Sequence, residues 1–294
     1  MDQRKKVTSS KPQITIVIGT LNRPQVILTL LNQLKKLKKP SIEVLVIDQS
    51  IDEDYKTLKT KFPDMSNFKL VHFETPNTCK YLNYGWRHAK ADIVLYLDDD
   101  VTVADRTVSA HLNQYRDLRT KAVAGRVIND GEAISKDDKV GRVFWYGASF
   151  AKNFTYEKKA IVEFPYGCNM SFRKSALAQL GGFDEKLAPP MYAFNEIDIG
   201  VRINKVWKNS LIFLPQALVY HHQYKSGGTR NNFTLEEVMK GNNFNYGYFV
   251  GKNYNAFENL IFFVRRFSYQ LLKESRSIKE IFKGFSYAKK MKKK

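Results

Sequence analysis

Short hydrophobic runs that stop at polar turn residues recur through the first half of the chain. Continuous apolar runs of this length are typical of strands buried on both faces of a sheet. The runs are Ile14–Gly19, Ile42–Ile47, Phe68–Phe73, Ile93–Leu97 and Ala122–Val127. Each is therefore predicted to be a strand. Leu211–Leu214 and Leu218–Tyr220 predict two more strands.

The segments between these runs have the spacing of helices. After Pro24, which suits the first turn of a helix, apolar residues recur every three or four positions. Further helices are predicted at Asn83–Ala89, Arg106–Leu118, Lys174–Leu180 and Glu196–Lys208. Strands alternating with helices predict an α/β fold with a mostly parallel central sheet flanked by helices.

Beyond residue 230 the pattern changes to amphipathic stripes. Phe257, Leu260, Ile261, Val264, Phe267 and Leu271 form the first stripe, and Ile278, Ile281, Phe282 and Phe285 form the second. Residues 231–294 are therefore predicted to be a basic, amphipathic helical extension. Such helices either lie in a membrane interface or pack on the core, and the pattern leaves both possibilities open.

The chain is strongly basic, with a net charge of +19 concentrated at its ends. Residues 1–12 are predicted to be a disordered basic leader, and residues 231–294 hold 13 Lys and Arg against 5 Glu. This excess implies an acidic partner, and its density in the tail favours an anionic membrane surface. No signal peptide is predicted, and no apolar run approaches the ~20 residues that span a bilayer. Two cysteines without a CxxC motif suit a reducing cytosol.

Three consecutive aspartates, Asp98, Asp99 and Asp100, follow the run Ile93–Leu97. Ligands of open α/β sheets bind at the carboxyl ends of strands. Adjacent carboxylates repel unless a cation compensates them, and hard divalent ions bind carboxylates together with substrate phosphates. The triplet therefore suggests a metal–diphosphate site. The alternative is a solvated loop or a helix cap, which aspartate suits equally well.

Motifs elsewhere in the chain favour the metal–diphosphate interpretation. No GxGxxG or GxxxxGK[ST] motif follows the first strand, which argues against a dinucleotide fold and a P-loop NTPase. Instead, over Ile14–Arg230, the chain resembles the family 2 glycosyltransferases, with six matching segments in the same order. They are ITIVIGTLNRP, EVLVIDQSIDED, LYLDDDV, YGCNMSFRKSALAQLGGFDEKL, NEIDIGVRI and HH…SGGTR. The resemblance implies a GT-A domain over residues 13–230.

The family pattern implies which residues bind the donor. Thr20 and Asp48 resemble positions that hold the nucleotide base and ribose, and the carboxylate of Asp48 accepts N–H or O–H hydrogen bonds. Arg230, behind two glycines, would clamp the diphosphate. The full predicted donor-binding set is Thr20, Arg23, Asp48, Asp98, Asp99 and Arg230.

The same pattern implies a site for Mn²⁺ or Mg²⁺. Asp98 and Asp100 are the ends of a DxD motif, with Asp100 as the expected direct ligand and Asp98 facing the ribose or a metal-bound water. Asp99 between them is expected to be mainly structural. His221 and His222 are candidates for a further ligand, and which of the two faces the site stays open.

On the acceptor side, inverting transfer needs a base that takes the proton of the attacking hydroxyl. Asn195-Glu196-Ile197-Asp198 resembles the acidic motif that supplies this base in the family, so Glu196 is expected to act, with Asp198 as the alternative. Both carboxylates could instead favour the dipole of a first helical turn. Gly167, Cys168 and Asn169 match an acceptor-side loop in which small residues let substrate approach the backbone.

These expectations describe a metal-dependent, inverting glycosyltransferase. It would move a sugar from a UDP-, GDP- or dTDP-sugar to a glycan or lipid-linked acceptor at the cytoplasmic face of a membrane. A sugar-phosphate nucleotidyltransferase is one alternative, but it would need a glycine-rich, lysine-bearing loop after the first strand. A non-enzymatic membrane- or nucleic-acid-binding protein is another, but the predicted strand ends are acidic, so no nucleic acid partner is expected.

Overall fold

The computed structural model describes residues 11–37, 40–144, 149–224, 227–228, 233–272 and 278–292. Within these ranges the chain forms a nine-stranded sheet flanked by helices, with a second, two-stranded sheet beside it. Most of the predicted leader, residues 1–10, lies outside the described residues.

The helices and strands follow one another along the chain in an α/β order. The strands are β1 (Ile14–Thr20), β2 (Ile42–Asp48), β3 (Phe68–His72), β4 (Ile93–Asp98), β5 (Val101–Val103), β6 (Ala122–Asn129), β7 (Arg142–Phe144), β8 (Ser149–Ala151), β9 (Ala160–Ile161), β10 (Asn169–Arg173) and β11 (Leu211–His221). The helices are α1 (Pro24–Lys35), α2 (Asp52–Lys61), α3 (Thr78–His88), α4 (Thr107–Gln114), α5 (Lys174–Leu180), α6 (Asn195–Val206), α7 (Leu235–Asn253), α8 (Ala256–Leu272) and α9 (Ile278–Lys292).

The large sheet has the order β3-β2-β1-β4-β10-β6-β11-β5, with β9 paired to β11. Its first four strands run parallel, as predicted. However, β10 runs antiparallel to both β4 and β6, and β5 and β9 run antiparallel to β11. The sheet is therefore mixed rather than mostly parallel. Hydrophobic patterning predicts that a strand is buried, but it does not encode the direction of that strand.

Local signals in the sequence explain several element boundaries. α1 begins at Pro24 and buries Leu30 and Leu34. α5 ends at Gly181, whose φ of +74° gives the left-handed cap predicted from the Gly-Gly pair. The two strands predicted around residues 211–220 are one strand, because a bulge between Leu214 and Leu218 accommodates the break in the pattern.

Helix α7 lies within the predicted helical extension, but neither predicted stripe falls on it, because it is not amphipathic. It buries residues of many kinds, among them Asn245, Tyr248 and Phe249. Helix α9 crosses α7 at glycines, and a Cβ on Gly284 would overlap the carbonyl oxygen of Phe244. Small residues at a crossing let two helix backbones approach closely. The predicted tail is thus built around a buried central helix.

The C-terminal helices share the hydrophobic core of the sheet rather than forming a separate core. The side chain of Asn245 on α7 exchanges two hydrogen bonds with the backbone of Ala188, and the hydroxyl of Tyr248 donates to Asp184 over 2.8 Å. The predicted boundary at residue 230 stays a prediction. None of the helices in the described ranges is long and apolar enough to cross a membrane.

Candidate active site

Polar side chains from adjacent parallel strands meet at one edge of the large sheet. The register pairs Thr20 with Asp48, and Asp48 with His72, at the last residues of β1, β2 and β3. β4 ends beside them at Asp98, which pairs with Gly19. The carboxyl ends of parallel strands form the ligand crevice of open α/β sheets. The topology therefore brings the predicted donor-side residues together.

Arg23 holds the aspartate triplet in place. Its Nε donates to Oδ2 of Asp99 over 2.8 Å, its Nη2 donates to Oδ1 of the same residue, and its Nη1 donates to Asp100 over 3.1 Å. Thr20 Oγ1 also donates to Asp99, over 2.6 Å. Burial raises the pKa of Asp99 to about 6, although the charge of Arg23 opposes the shift. Thr20 and Arg23 thus bind Asp99 inside the turn that follows β4.

A glycine pair lies against this turn. Gly227 and Gly228 have φ values of +64° and +68°, and the N–H of Gly228 donates to the carbonyl of Leu21. A Cβ at Gly228 would lie 3.0 Å from the guanidinium carbon of Arg23. Only glycine adopts this conformation readily at such a close approach. Arg230, the predicted diphosphate clamp, lies outside the described residues and stays a prediction.

His221 faces the two outer aspartates. Its Nε2 lies 3.2 Å from Oδ1 of Asp100 and 3.8 Å from Oδ2 of Asp98. Its Nδ1 lies 2.9 Å from Oδ1 of Asn129, and because that oxygen only accepts, Nδ1 carries the proton of the neutral ring. Nε2 then directs a lone pair at the carboxylates. A hydrogen bond that fixes the outer nitrogen in this way is typical of histidines that bind metals.

Asp100 shows that these residues fit a divalent cation. Its Oδ1 is buried and has no hydrogen-bond partner in the described part of the chain. A buried carboxylate oxygen needs compensation, and a cation between Asp98, Asp100 and His221 would supply it.

His222 points elsewhere. Its Nε2 lies 2.8 Å from the hydroxyl of Thr102, and its Nδ1 lies 3.2 Å from Asp130. Successive residues of a strand face opposite sides of the sheet. This alternation decides which histidine faces the site, a question that the sequence left open.

Cys168 lies next to the same cluster. β10 pairs Asn169 with Leu97, so the preceding residue lies opposite Asp98. Burial raises the pKa of the Cys168 thiol well above its usual value, and the charges of Asp98 and Asp100 raise it further. At the neighbouring Gly167, an added Cβ would meet nothing within 4 Å. There is therefore open space beside the backbone of Gly167, and its contact with an acceptor stays a prediction.

Asn169 does not reach the cleft, contrary to the predicted contact with substrate. Its side chain is fully buried, and its amide donates to the carbonyls of Arg126 and Ala217. Its Oδ1 accepts from Nε2 of His111 over 2.8 Å. Both N–H groups of its amide and its carbonyl oxygen are therefore bound to partners inside the protein. The alternation along β10 turns Asn169 into the core and leaves only its neighbours near the site.

Glu196 lies in the first turn of helix α6 and is half-buried. Burial raises the pKa of its carboxyl, and the nearby charge of Asp98 raises it further, while Lys152 opposes the shift. The influence of Asp98 on this carboxyl indicates that Glu196 lies on the side of the molecule where the aspartate triplet ends β4. No side chain in the described ranges makes a hydrogen bond or ion pair with Glu196.

Asp198, two residues further along α6, accepts hydrogen bonds on both carboxylate oxygens. Arg202 Nε donates to its Oδ2 over 2.7 Å, Lys252 Nζ donates to it over 2.9 Å, and Asn253 Nδ2 donates to its Oδ1 over 3.0 Å. It is almost completely buried. This carboxylate links α6 to α7 and has no free oxygen for an acceptor hydroxyl.

The turn before α6 has an unusual backbone. Phe194, immediately before the helix, has a φ of +75°, which is rare for a bulky residue. Its ring stacks on Tyr246 and Phe249 of α7, with ring centroids 5.3 and 5.5 Å apart. Strained backbone of this kind persists only where the surroundings fix it. Helix α7 therefore supports the turn that carries Glu196, a role that no local motif indicated.

Comparison with known proteins identifies the family. The model for glycosyl transferase family 2 matches residues 15–181, more than half of the chain. The chain belongs to glycosyl transferase family 2. This confirms the resemblance inferred from the motifs and sets aside the two alternatives. The prediction of a glycosyltransferase is confirmed at the level of the family.

Curated relatives in this family are distant. A glucosyl-dolichyl phosphate glucuronosyltransferase of Haloferax volcanii is 23% identical over 63% of this chain and 60% of its own length. The poly(ribitol-phosphate) beta-N-acetylglucosaminyltransferase TarP of Staphylococcus aureus is 22% identical over 57% of this chain and 55% of its own length. The chain thus spans little more than half the length of the curated relatives it matches.

Solved structures show the fold. A mannosyltransferase of Pyrobaculum calidifontis in complex with GDP-Man and Mn²⁺ aligns with a TM-score of 0.59 at 17% identity, over 95% of this chain and 76% of that one. The TarS fragment of S. aureus in complex with UDP-GlcNAc aligns with a TM-score of 0.61 at 16% identity, over 92% and 79%. These neighbours have the GT-A fold, which confirms the predicted architecture.

Proposed function

We propose that this member of family 2 transfers a sugar, with inversion, from a nucleotide-diphosphate donor to a hydroxyl group of an acceptor, and that the reaction depends on a divalent metal. The observation that carries the proposal is the convergence of Asp98, Asp100 and His221, with Glu196 within electrostatic reach of Asp98. An inverting transferase needs this pairing of a diphosphate side with a base.

The donor would lie along the carboxyl edge of the parallel strands. The carboxylate of Asp48, which already accepts from the N–H of Ser50 over 2.6 Å, would also accept from a ring N–H of uracil, thymine or guanine. The rings of Tyr55 and His72 stack 4.0 Å apart beside it. Thr20, Arg23 and Asp99 would act by holding the DxD turn, and Arg230 would reach the diphosphate.

Asp98, Asp100 and His221 would hold Mn²⁺ or Mg²⁺. Structural neighbours crystallised with Mn²⁺ support use of a divalent metal. When bound, the metal would neutralise the charge that builds on the departing diphosphate. Arg23 keeps Asp100 oriented for this role because it binds the other carboxylate oxygen.

Glu196 is the proposed base. It would accept the proton of the acceptor hydroxyl as that oxygen attacks the anomeric carbon. A pKa raised above the usual value brings a carboxylate closer to working pH, which makes it a better proton acceptor. Asp198 would instead position the start of α6 through Arg202 and Lys252.

The acceptor is proposed to be a glycan or a lipid-linked glycan at the cytoplasmic face of a membrane. Two matched relatives are named for acceptors with phosphate groups, glucosyl-dolichyl phosphate and poly(ribitol-phosphate). The basic C-terminal helices would hold the enzyme on anionic lipids, next to such an acceptor.

Paired variants test the proposal. UDP, GDP or dTDP with Mn²⁺ or Mg²⁺ should raise the melting temperature of the wild-type protein, and the matching nucleotide-sugar should be hydrolysed or transferred. Glu196→Gln should retain this stabilisation but lose at least about 100-fold in turnover. Asp198→Asn should instead lower the melting temperature without nucleotide. Normal turnover of Glu196→Gln would remove Glu196 as base, and no response to any nucleotide with either metal would refute the donor site.

A further inference from the structure

A buried thiol adjoins the proposed metal site. Sγ of Cys168 lies in a group with one ligand atom each from Asp98 and His221, all within 4.8 Å of one another. Atoms bound to one ion are separated by about this much or less, because metal–ligand bonds are about 2.0–2.6 Å long. In the described ranges no other three Asp, Glu, His or Cys side chains form such a group.

Three separate strands build this group, so it does not arise from chain proximity. Asp98 ends β4, Cys168 immediately precedes β10 and His221 ends β11. The register that pairs Asn169 with Leu97 carries Cys168 to Asp98, and the pairing of β5 with β11 carries His221 to the residues that follow the triplet. The rigid edge of a sheet therefore fixes the position of the sulfur.

Two independent observations indicate that a cation belongs among these atoms. Oδ1 of Asp100 is buried without a hydrogen-bond partner in the described part of the chain. Asn129 fixes His221 so that Nε2 faces the two carboxylates. The thiol is thus adjacent to an oriented set of ligands and to an uncompensated buried oxygen.

We infer that Cys168 is a ligand of the divalent metal, and that its sulfur makes the site prefer Mn²⁺, Co²⁺ or Zn²⁺ to Mg²⁺. The inference rests on the proposed metal site of the transferase. Metal binding would release the thiol proton to solvent, and the sulfur lone pair would form the bond to the ion. A thiolate binds divalent transition metals more strongly than Mg²⁺, which is bound by oxygen, and the preference increases from Mn²⁺ to Co²⁺ and Zn²⁺.

Cobalt spectroscopy tests the bond directly, without any activity measurement. The wild-type protein is titrated with Co²⁺, and ligation by Cys168 should produce a sulfur-to-cobalt charge-transfer band in the near ultraviolet. Cys168→Ser should bind Co²⁺ without this band. Cys79→Ser is the matched control, since Cys79 is the other buried free cysteine and belongs to no such group; it should retain the band.

Calorimetry provides a second readout. The ratio of Mn²⁺ to Mg²⁺ affinity should fall at least about tenfold in Cys168→Ser and remain unchanged in Cys79→Ser. Cys168→Ala, which restores no polar group, should show the same loss if the serine variant folds poorly. A cooperative thermal transition without metal or nucleotide shows that each variant is folded.

The outcomes separate this inference from the proposed function. Co²⁺ binding to the wild-type protein without the charge-transfer band, or an unchanged ratio of Mn²⁺ to Mg²⁺ affinity in Cys168→Ser, would overturn ligation by sulfur and leave the metal site intact. Absence of binding of every divalent ion, with and without nucleotide, would overturn the metal site itself.

Discussion

His221 and His222 are adjacent in sequence but have different environments. His221 is buried and lies between Asn129 and the outer aspartates, whereas His222 bonds to Thr102 and Asp130. Both positions hold histidine, so the residue type alone made each of them a candidate metal ligand. The direction of each side chain came from strand alternation and from the pairing of β11 with β6, which are tertiary properties.

A buried polar network below the site involves His111. Its Nε2 donates to Asn169, its Nδ1 accepts from the hydroxyl of Ser171, and Ser171 also contacts the hydroxyl of Tyr115 over 2.9 Å. Each polar atom has a partner, as buried groups require. The network holds β10 and helix α4 together next to Cys168.

This network predicts an acid-sensitive stability. Burial lowers the pKa of His111 to about 4, from about 6.5 in an unfolded chain. As pH falls from about 6.5 towards 4, the unfolded state binds a proton that the folded state does not, so about 3 kcal/mol of stability should be lost over this window. Denaturant unfolding between pH 4 and pH 7.5 measures the change.

Variants isolate the contribution of His111. His111→Gln keeps a donor and an acceptor but cannot titrate, so its stability should depend less on pH across the same window. His88→Gln, at an exposed position, serves as the control and should follow the wild-type curve. An unchanged pH slope in His111→Gln would assign the acid sensitivity to other groups.

At the scale of elements, the crossing of α7 and α9 depends on glycine. On α7, Gly247 faces the carbonyl of Ile281 and Gly251 faces the methyl group of Ala288. On α9, Gly284 faces the carbonyl of Phe244, so a Cβ at any of the three glycines would meet the opposite helix. Helix α7 in turn supports Phe194 and Asp198 at the start of α6. Close packing of α9 therefore contributes to the position of Glu196.

A methyl group at this crossing should reverse the usual effect of alanine. In an exposed helix, Gly→Ala stabilises by about 1 kcal/mol. Gly284→Ala should instead destabilise by about 1–3 kcal/mol, because the new methyl group would overlap the carbonyl of Phe244. Thermal and denaturant unfolding measure the effect. Ser286→Ala, two residues along on the exposed side of α9, should be neutral or slightly stabilising. Stabilisation by Gly284→Ala would mean that the helices separate easily.

At the scale of the whole molecule, exposed apolar side chains and positive charge coincide on the C-terminal helices. Phe257, Leu260 and Val264 form a row on α8, each with more than half of its surface exposed. Lys289, Lys290 and Lys292 lie in the last turn of α9. This combination suits the interface of an anionic membrane better than water.

Vesicle binding tests this surface. Replacing Phe257, Leu260 and Val264 together by serine should weaken binding to vesicles with anionic lipids at least tenfold. Full burial of each apolar side chain contributes about 1.5–3 kcal/mol of binding free energy, which serine would not supply. Binding should also weaken as salt is raised. Leu118→Ser with Ile134→Ser removes exposed apolar side chains from the sheet domain and should have no effect. Unchanged binding of the serine triple variant would indicate that this row does not contact lipid.

The sequence by itself determined the α/β class, most strands of the first half and the family. These properties follow from local patterns and from the order of motifs. Both can be read from the sequence without knowing which residues are in contact. It also placed Asp98, Asp100 and Glu196 at element ends, where polar residues interrupt hydrophobic runs.

Only the tertiary structure decided the direction of β10, the choice of His221, the burial of Asn169 and the pairing of Asp198 with Lys252. The common reason is that each depends on partners far apart in the chain. A side chain becomes a ligand, a base or a core residue through the atoms that surround it, and a single sequence does not specify those neighbours locally.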